Sequence, residues 1–146
     1  MSKLGKCFMA ILLFLALASC KKSGEKPPTF LEQYFESAVL NRPYVITYAN
    51  DRGNDITAQY NGYTFVLKKG SDYYSGALIA TKGSESYQGA WSSNDDYGKL
   101  VISLSVPPGE FGFLARSWRF TSKNIPTLKF APWGGSDDIQ LTMVGQ

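Results

Sequence analysis

A chain of 146 residues has the length of one domain, and with 44% apolar and 18% charged residues its composition is globular rather than disordered. The formal charge is +3, and two of its 15 basic residues, Lys3 and Lys6, lie in a leader, leaving 13 against 12 acidic; nucleic acid needs a clustered basic face that so balanced a chain lacks. There is no histidine, which excludes Ser-His-Asp and Cys-His nucleophile systems and removes the commonest metal ligand.

The chain opens with Lys3 and Lys6, followed by an unbroken apolar run from Phe8 to Ala18. That run is about half of the ~20 residues needed to span a bilayer, and small residues follow it, as in a secretory signal. Leu17-Ala18-Ser19-Cys20 resembles the lipobox of bacterial lipoproteins. The resemblance implies removal of residues 1–19 and a diacylglyceryl group plus an amide-linked chain on Cys20. Two or more acyl chains anchor stably where one does not. The membrane is therefore the expected partner, held through Cys20 without a transmembrane helix. Lys21 and Lys22 are attracted to anionic headgroups. Residue 21 is not Asp, and Lys21-Lys22-Ser23-Gly24-Glu25-Lys26 opens on two lysines where surface-exposed Bacteroidota lipoproteins often carry acidic residues just after the cysteine. By that resemblance the expected location is the outer membrane, facing the periplasm.

With Cys7 removed and Cys20 acylated, the folded domain has neither thiol nor disulfide and must rely on its core. Without histidine or free cysteine, a zinc or copper site is not expected. No phosphate-binding or dinucleotide fingerprint is present, so no cofactor is expected.

Residues 20–28 read as a lipidated, flexible tether and 29–146 as the domain. Thr29-Phe30-Leu31-Glu32 fits a capping box, in which Thr and Glu satisfy each other's orphan backbone donors. Leu31, Phe35, Ala38 and Val39 then form one apolar stripe suited to packing on a sheet, and Arg42-Pro43 closes the helix. Beyond Pro43 the period changes to alternation. Tyr44, Ile46 and Tyr48 give a first strand; Tyr63, Phe65 and Leu67 a second; Tyr74 to Thr81 a third; Tyr87, Gly89 and Trp91 a fourth. Leu100, Ile102 and Leu104 give the fifth, Trp118 and Phe120 the sixth, Leu128 and Phe130 the seventh, and Ile139, Leu141 and Met143 the last. Gly-, Asn- and Asp-rich turns separate them.

Eight short strands with one apolar face suit an up-and-down barrel or a two-sheet sandwich. Nearly every connection is hairpin-sized, whereas a Greek key needs long crossings, so the spacing favours a small all-β antiparallel barrel with a short N-terminal helix. The long segment from Pro107 to Ala115 is expected to cross a barrel mouth or form a helical turn. The order Asp51-Arg52-Gly53-Asn54-Asp55-Ile56-Thr57, Tyr60-Asn61-Gly62-Tyr63-Thr64-Phe65 and Gly89-Ala90-Trp91 resembles the lipocalin-like lipoproteins of Bacteroidota. The likeness runs from Asn41 to Met143. It departs at Arg42-Pro43-Tyr44-Val45, where such proteins carry a Trp-bearing strand. The resemblance implies a lipocalin-like barrel but fixes no activity.

Two functional readings compete. In one, Tyr63, Phe65, Trp91, Leu104, Trp118 and Phe130 line an interior that holds a small apolar ligand, unless they simply fill it. In the other, Tyr73, Tyr74, Tyr97 and Trp133 form an outer aromatic platform for a glycan or protein partner. Asp51, Asp55, Asp95-Asp96 and Asp137-Asp138 lie in turns, where such side chains bond their own backbone. None shows a calcium-loop spacing, so neither a catalytic nor a metal role is assigned to them and the chain is expected not to be an enzyme.

Overall fold

The computed structural model describes residues 24–105 and 107–146. The expected leader 1–19, the expected acylation site Cys20 and residues 21–23 of the expected tether lie outside the described residues. Helix α1 (Phe30–Ala38) begins on the capping box read from the sequence, with Thr29 accepting from the Glu32 backbone and the Glu32 carboxylate accepting in return. Phe35, Ala38 and Val39 of the expected stripe are buried, while Leu31 is 40% exposed.

After α1 come β1 (Pro43–Asp51), the two-residue β2 (Asn54–Asp55) and a 3-10 turn (Thr57–Tyr60). They are followed by β3 (Tyr63–Leu67), β4 (Ser75–Lys82), β5 (Glu85–Ser93) and β6 (Lys99–Ser103). Helix α2 (Phe111–Leu114) precedes β7 (Ser117–Asn124), β8 (Thr127–Pro132) and β9 (Ile139–Gly145). From β3 to β9 each strand pairs with the next in sequence. β1 pairs antiparallel with β3 on one side and, from Tyr44↔Gly145 to Asp51↔Ile139, with β9 on the other. The eight long strands thus close an antiparallel up-and-down barrel, and β2 is a short hairpin added to the end of β1. Closure leaves no long strand edge for a neighbouring chain to extend.

All eight strands anticipated from alternation are present. β2 and the 3-10 turn are additional, since Asn54 to Tyr60 carries no period of its own. Alternation fails at two points where the ladder slips, between Ile46 and Tyr48 in β1 and between Phe120 and Ser122 in β7. At the first bulge Ala49 takes the inward place and Tyr48, expected on the inner face with Tyr44 and Ile46, points outward at 39% exposure.

Every barrel strand sends buried apolar side chains inward, among them Tyr44, Leu78, Leu100, Leu128 and Met143. Among the described residues no polar or charged side chain is buried. Two glycines allow the tightest approaches. A Cβ on Gly76 would meet the Lys68 carbonyl and come within 2.9 Å of the Trp91 indole nitrogen. One on Gly89 would meet the Ser103 carbonyl and come within 2.8 Å of Leu104 Cδ2.

Candidate functional site

Both mouths of the barrel are stoppered. At the helix mouth, formed by the start of β1 and the end of β9, α1 lies across the opening and drives Phe35 inward. The Phe35 ring stacks on Tyr97 at 4.1 Å between centroids, and Tyr97 stacks on Tyr74 at 5.3 Å. Burial pushes the Tyr97 phenol above its ordinary range; its hydroxyl donates to the Tyr73 carbonyl. Lys123 lies over Phe120 and donates to the Tyr97 carbonyl at 2.7 Å, and burial lowers its pKa.

At the opposite loop mouth the stopper is α2, the helical turn foreseen within Pro107 to Ala115, which also crosses the mouth. Phe111 is fully buried against Tyr63, Phe65 and Tyr87. Two phenols clamp the preceding residue: Tyr60 donates to the Glu110 carbonyl at 2.7 Å and Tyr63 to its carboxylate at 2.8 Å. Its own backbone N–H and then the Tyr63 hydroxyl hold Glu110 below the ordinary carboxylate range. Beside them Arg116 spreads over the rings of Phe113 and Trp118, 4.9 and 5.3 Å from their centroids.

The six interior candidates all lie inside, within one buried cluster. Tyr63 packs on Phe65 at 5.8 Å and Trp118 on Phe130 at 6.3 Å. Trp91 donates its indole N–H to the Lys68 carbonyl at 2.7 Å, and Leu104 lies over Gly89. None is more than 7% exposed.

The outer aromatic platform does not assemble. Tyr73 and Tyr74 belong to the β3–β4 loop at the helix mouth, whereas Trp133 lies in the β8–β9 hairpin at the loop mouth. Tyr97, expected to be exposed, is completely buried, because α1 supplies Phe35 as a stacking partner. Only Trp133, 47% exposed with Lys99 Nζ 5.3 Å from its ring centroid, is a large exposed aromatic of this set.

The outer wall holds a site that sequence reasoning missed. A groove of about 530 Å³ runs along β7, β8, β9 and β1, walled by Tyr48, Thr121, Lys129, Asp137, Gln140 and Thr142, with Ala131 in its floor. Pairings Tyr48↔Thr142 and Thr142↔Lys129 place these three outward side chains in one row across three strands. Asp137 is held by the Arg119 guanidinium. A second groove, about 420 Å³ on β4–β6, is lined by Ser75, Gly76, Trp91, Ser92, Val101 and Ser103, among others, with no charged group. The first groove is invisible to alternation counting because its aromatic, Tyr48, reaches it only through the bulge in β1, whereas Thr121 faces out by ordinary alternation from Phe120. The outward polar positions of β8 and β9, Lys129, Gln140 and Thr142, were the available signal.

Comparison of the chain with family models, with curated proteins and with solved structures gives no match.

Proposed function

We propose that this chain is a lipid-anchored cell-envelope protein, non-enzymatic, whose packed barrel is a scaffold for binding a glycan on its outer wall. The lipobox at Leu17–Cys20 supports the anchor, and Lys21-Lys22 directly after it, with no Asp at 21 and no acidic run, support an outer-membrane, periplasm-facing place for it. The observation that carries the binding reading is the bulge in β1, which aims Tyr48 outward into a groove that Lys129, Gln140 and Thr142 also wall. Bulges re-aim side chains at a cost in regular pairing, and they concentrate near functional sites. An aromatic wall beside an ammonium, an amide and hydroxyls matches the alternating apolar faces and hydroxyl edges of a sugar ring.

The interior reading, a small apolar ligand held by Tyr63, Phe65, Trp91, Leu104, Trp118 and Phe130, requires a different structural event. Those side chains belong to one buried cluster and both mouths are stoppered, so a ligand would have to displace α1 or α2.

A glycan array probed with the mature protein tests the outer-wall reading. Binding is expected, and Tyr48→Ala or Lys129→Ala should each weaken it about ten-fold, equivalent to roughly 1.4 kcal/mol. Absence of glycan binding, together with a hydrophobic molecule retained in native mass spectra of protein from its own cells, would replace this reading with the interior one. The intact mass of the same protein reports whether Cys20 is acylated.

A further inference from the structure

The solvent side of α1 carries an apolar surface that the barrel does not cover. Phe30 is 85% exposed, Tyr34 44% and Leu31 40%, and they lie within one turn of each other at the start of the helix. The two acids of α1 do not share this face. The Glu32 carboxylate accepts from the Tyr74 hydroxyl at 2.6 Å, and Glu36 pairs with Lys69 at 3.0 Å. Both charges are thus drawn onto the barrel rim. The remaining solvent-side positions, Gln33 and Ser37, are uncharged.

Position along the chain says what meets this face. Phe30 follows Cys20 by ten residues, which even fully extended span at most ~35 Å. Within that stretch Lys21, Lys22 and Lys26 outnumber the single acid Glu25. An acylated Cys20 would therefore hold the helix mouth against the bilayer, behind a basic tether drawn to anionic headgroups. Aromatic side chains with one apolar and one wet side settle at this depth of a membrane.

We propose that Phe30, Leu31 and Tyr34 form a membrane-docking face that lies in the headgroup boundary, seating the helix mouth on the bilayer and turning the loop mouth, with Trp133, away from it. The proposal rests on the anchor reading above. It makes the molecule an oriented one rather than a barrel swinging on a tether.

The test uses mature protein purified from its own membranes and reconstituted in phosphatidylethanolamine/phosphatidylglycerol vesicles containing phosphatidylcholine brominated high in its acyl chains. Tyr34→Trp adds a fluorophore to the face at an exposed position, and Ser136→Trp adds one at the loop mouth. Most of the emission added by Tyr34→Trp should be quenched, while that added by Ser136→Trp should persist. Phe30→Ser combined with Leu31→Ser should restore the Tyr34→Trp emission without detaching the protein. Persistence of both emissions in protein whose mass shows acylation would overturn the docking face and leave the anchor standing. Sedimentation of that protein as a dimer in detergent would then assign the face to a second copy. If the mass shows an unmodified thiol, the anchor reading fails. Coupling Cys20 to a maleimide lipid in the same vesicles then reads the face separately: quenching supports it and persistence overturns it.

Discussion

The two mouths of this barrel are closed by opposite devices. At the helix mouth the stopper is a nine-residue helix with a complete capping box, an element that specifies itself locally before it packs. At the loop mouth the stopper is a four-residue helix with no side-chain cap, held by the phenols of Tyr60 and Tyr63 from distant parts of the chain. One mouth is closed by local sequence and the other by long-range hydrogen bonds and the buried rings of Phe111 and Phe113. The same task, covering apolar surface at the end of a barrel, thus has a local and a non-local solution in one molecule.

High pH should break both at once, and with the largest effect. Burial raises the Tyr44 phenol from its ordinary value of 10.0 to about 12, the hydrogen bond to Glu32 raises Tyr74 to about 12, and burial pushes Tyr60, Tyr63 and Tyr97 upward as well. A group with a raised folded-state pKa stabilises fully below its unfolded value, and that contribution is lost as pH climbs through the folded one. Stability should therefore hold from neutral pH up to 10 and fall steeply between 10 and 12, as measured by the urea midpoint at fixed ionic strength. Lys123 works the other way, since its lowered pKa penalises the charged form and the penalty lifts as pH rises. One ammonium does not offset five phenols, so a midpoint that rises with pH in this window would show that the phenols are not buried.

Phe111→Ala should cost about 3–5 kcal/mol by urea denaturation, as removal of a fully buried ring does. Hydrogen exchange should then quicken at the loop mouth while α1 stays protected. Gly76→Ala acts on the other mouth. Its added carbon would push the Trp91 indole off the Lys68 carbonyl, with an expected loss of roughly 1–3 kcal/mol. A red-shifted tryptophan emission should accompany it.

Smaller changes sharpen the contrast. Thr29→Ala removes the cap of α1 and should cost about 1 kcal/mol, felt as faster exchange confined to the helix mouth. Tyr63→Phe deletes one hydroxyl from the clamp on Glu110 and should cost roughly 0.5–1.5 kcal/mol, with the loosening confined to α2. If Thr29→Ala loosened the loop mouth as much as its own, the two stoppers would be one cooperative unit rather than two devices.

How legible each part was follows the same division. Leu100-Ile102-Leu104 and Tyr63-Phe65-Leu67 announced their inward faces because a strand's side-chain direction repeats every two residues whatever its neighbours do. Tyr97 was misplaced because burial of a turn residue depends on what lies over it, here Phe35 from 62 positions earlier in the chain. Tyr48 was misplaced because a bulge shifts the phase of a strand and leaves no mark on its composition. The candidate groove was unreadable for the same reason, since its aromatic wall exists only after that shift.

By itself, then, the sequence determined the eight-strand count, the capped first helix and the hairpin connections, all of which depend on residues within a few positions of each other. Tertiary structure alone decided the closing pairing of β1 with β9, the seating of Phe111 under the tyrosine clamp, and the outward groove beside the β1 bulge. The physical reason is range: local periodicity is written residue by residue, whereas closure, register slips and the covering of a mouth arise from contacts between segments that meet only once the barrel has formed.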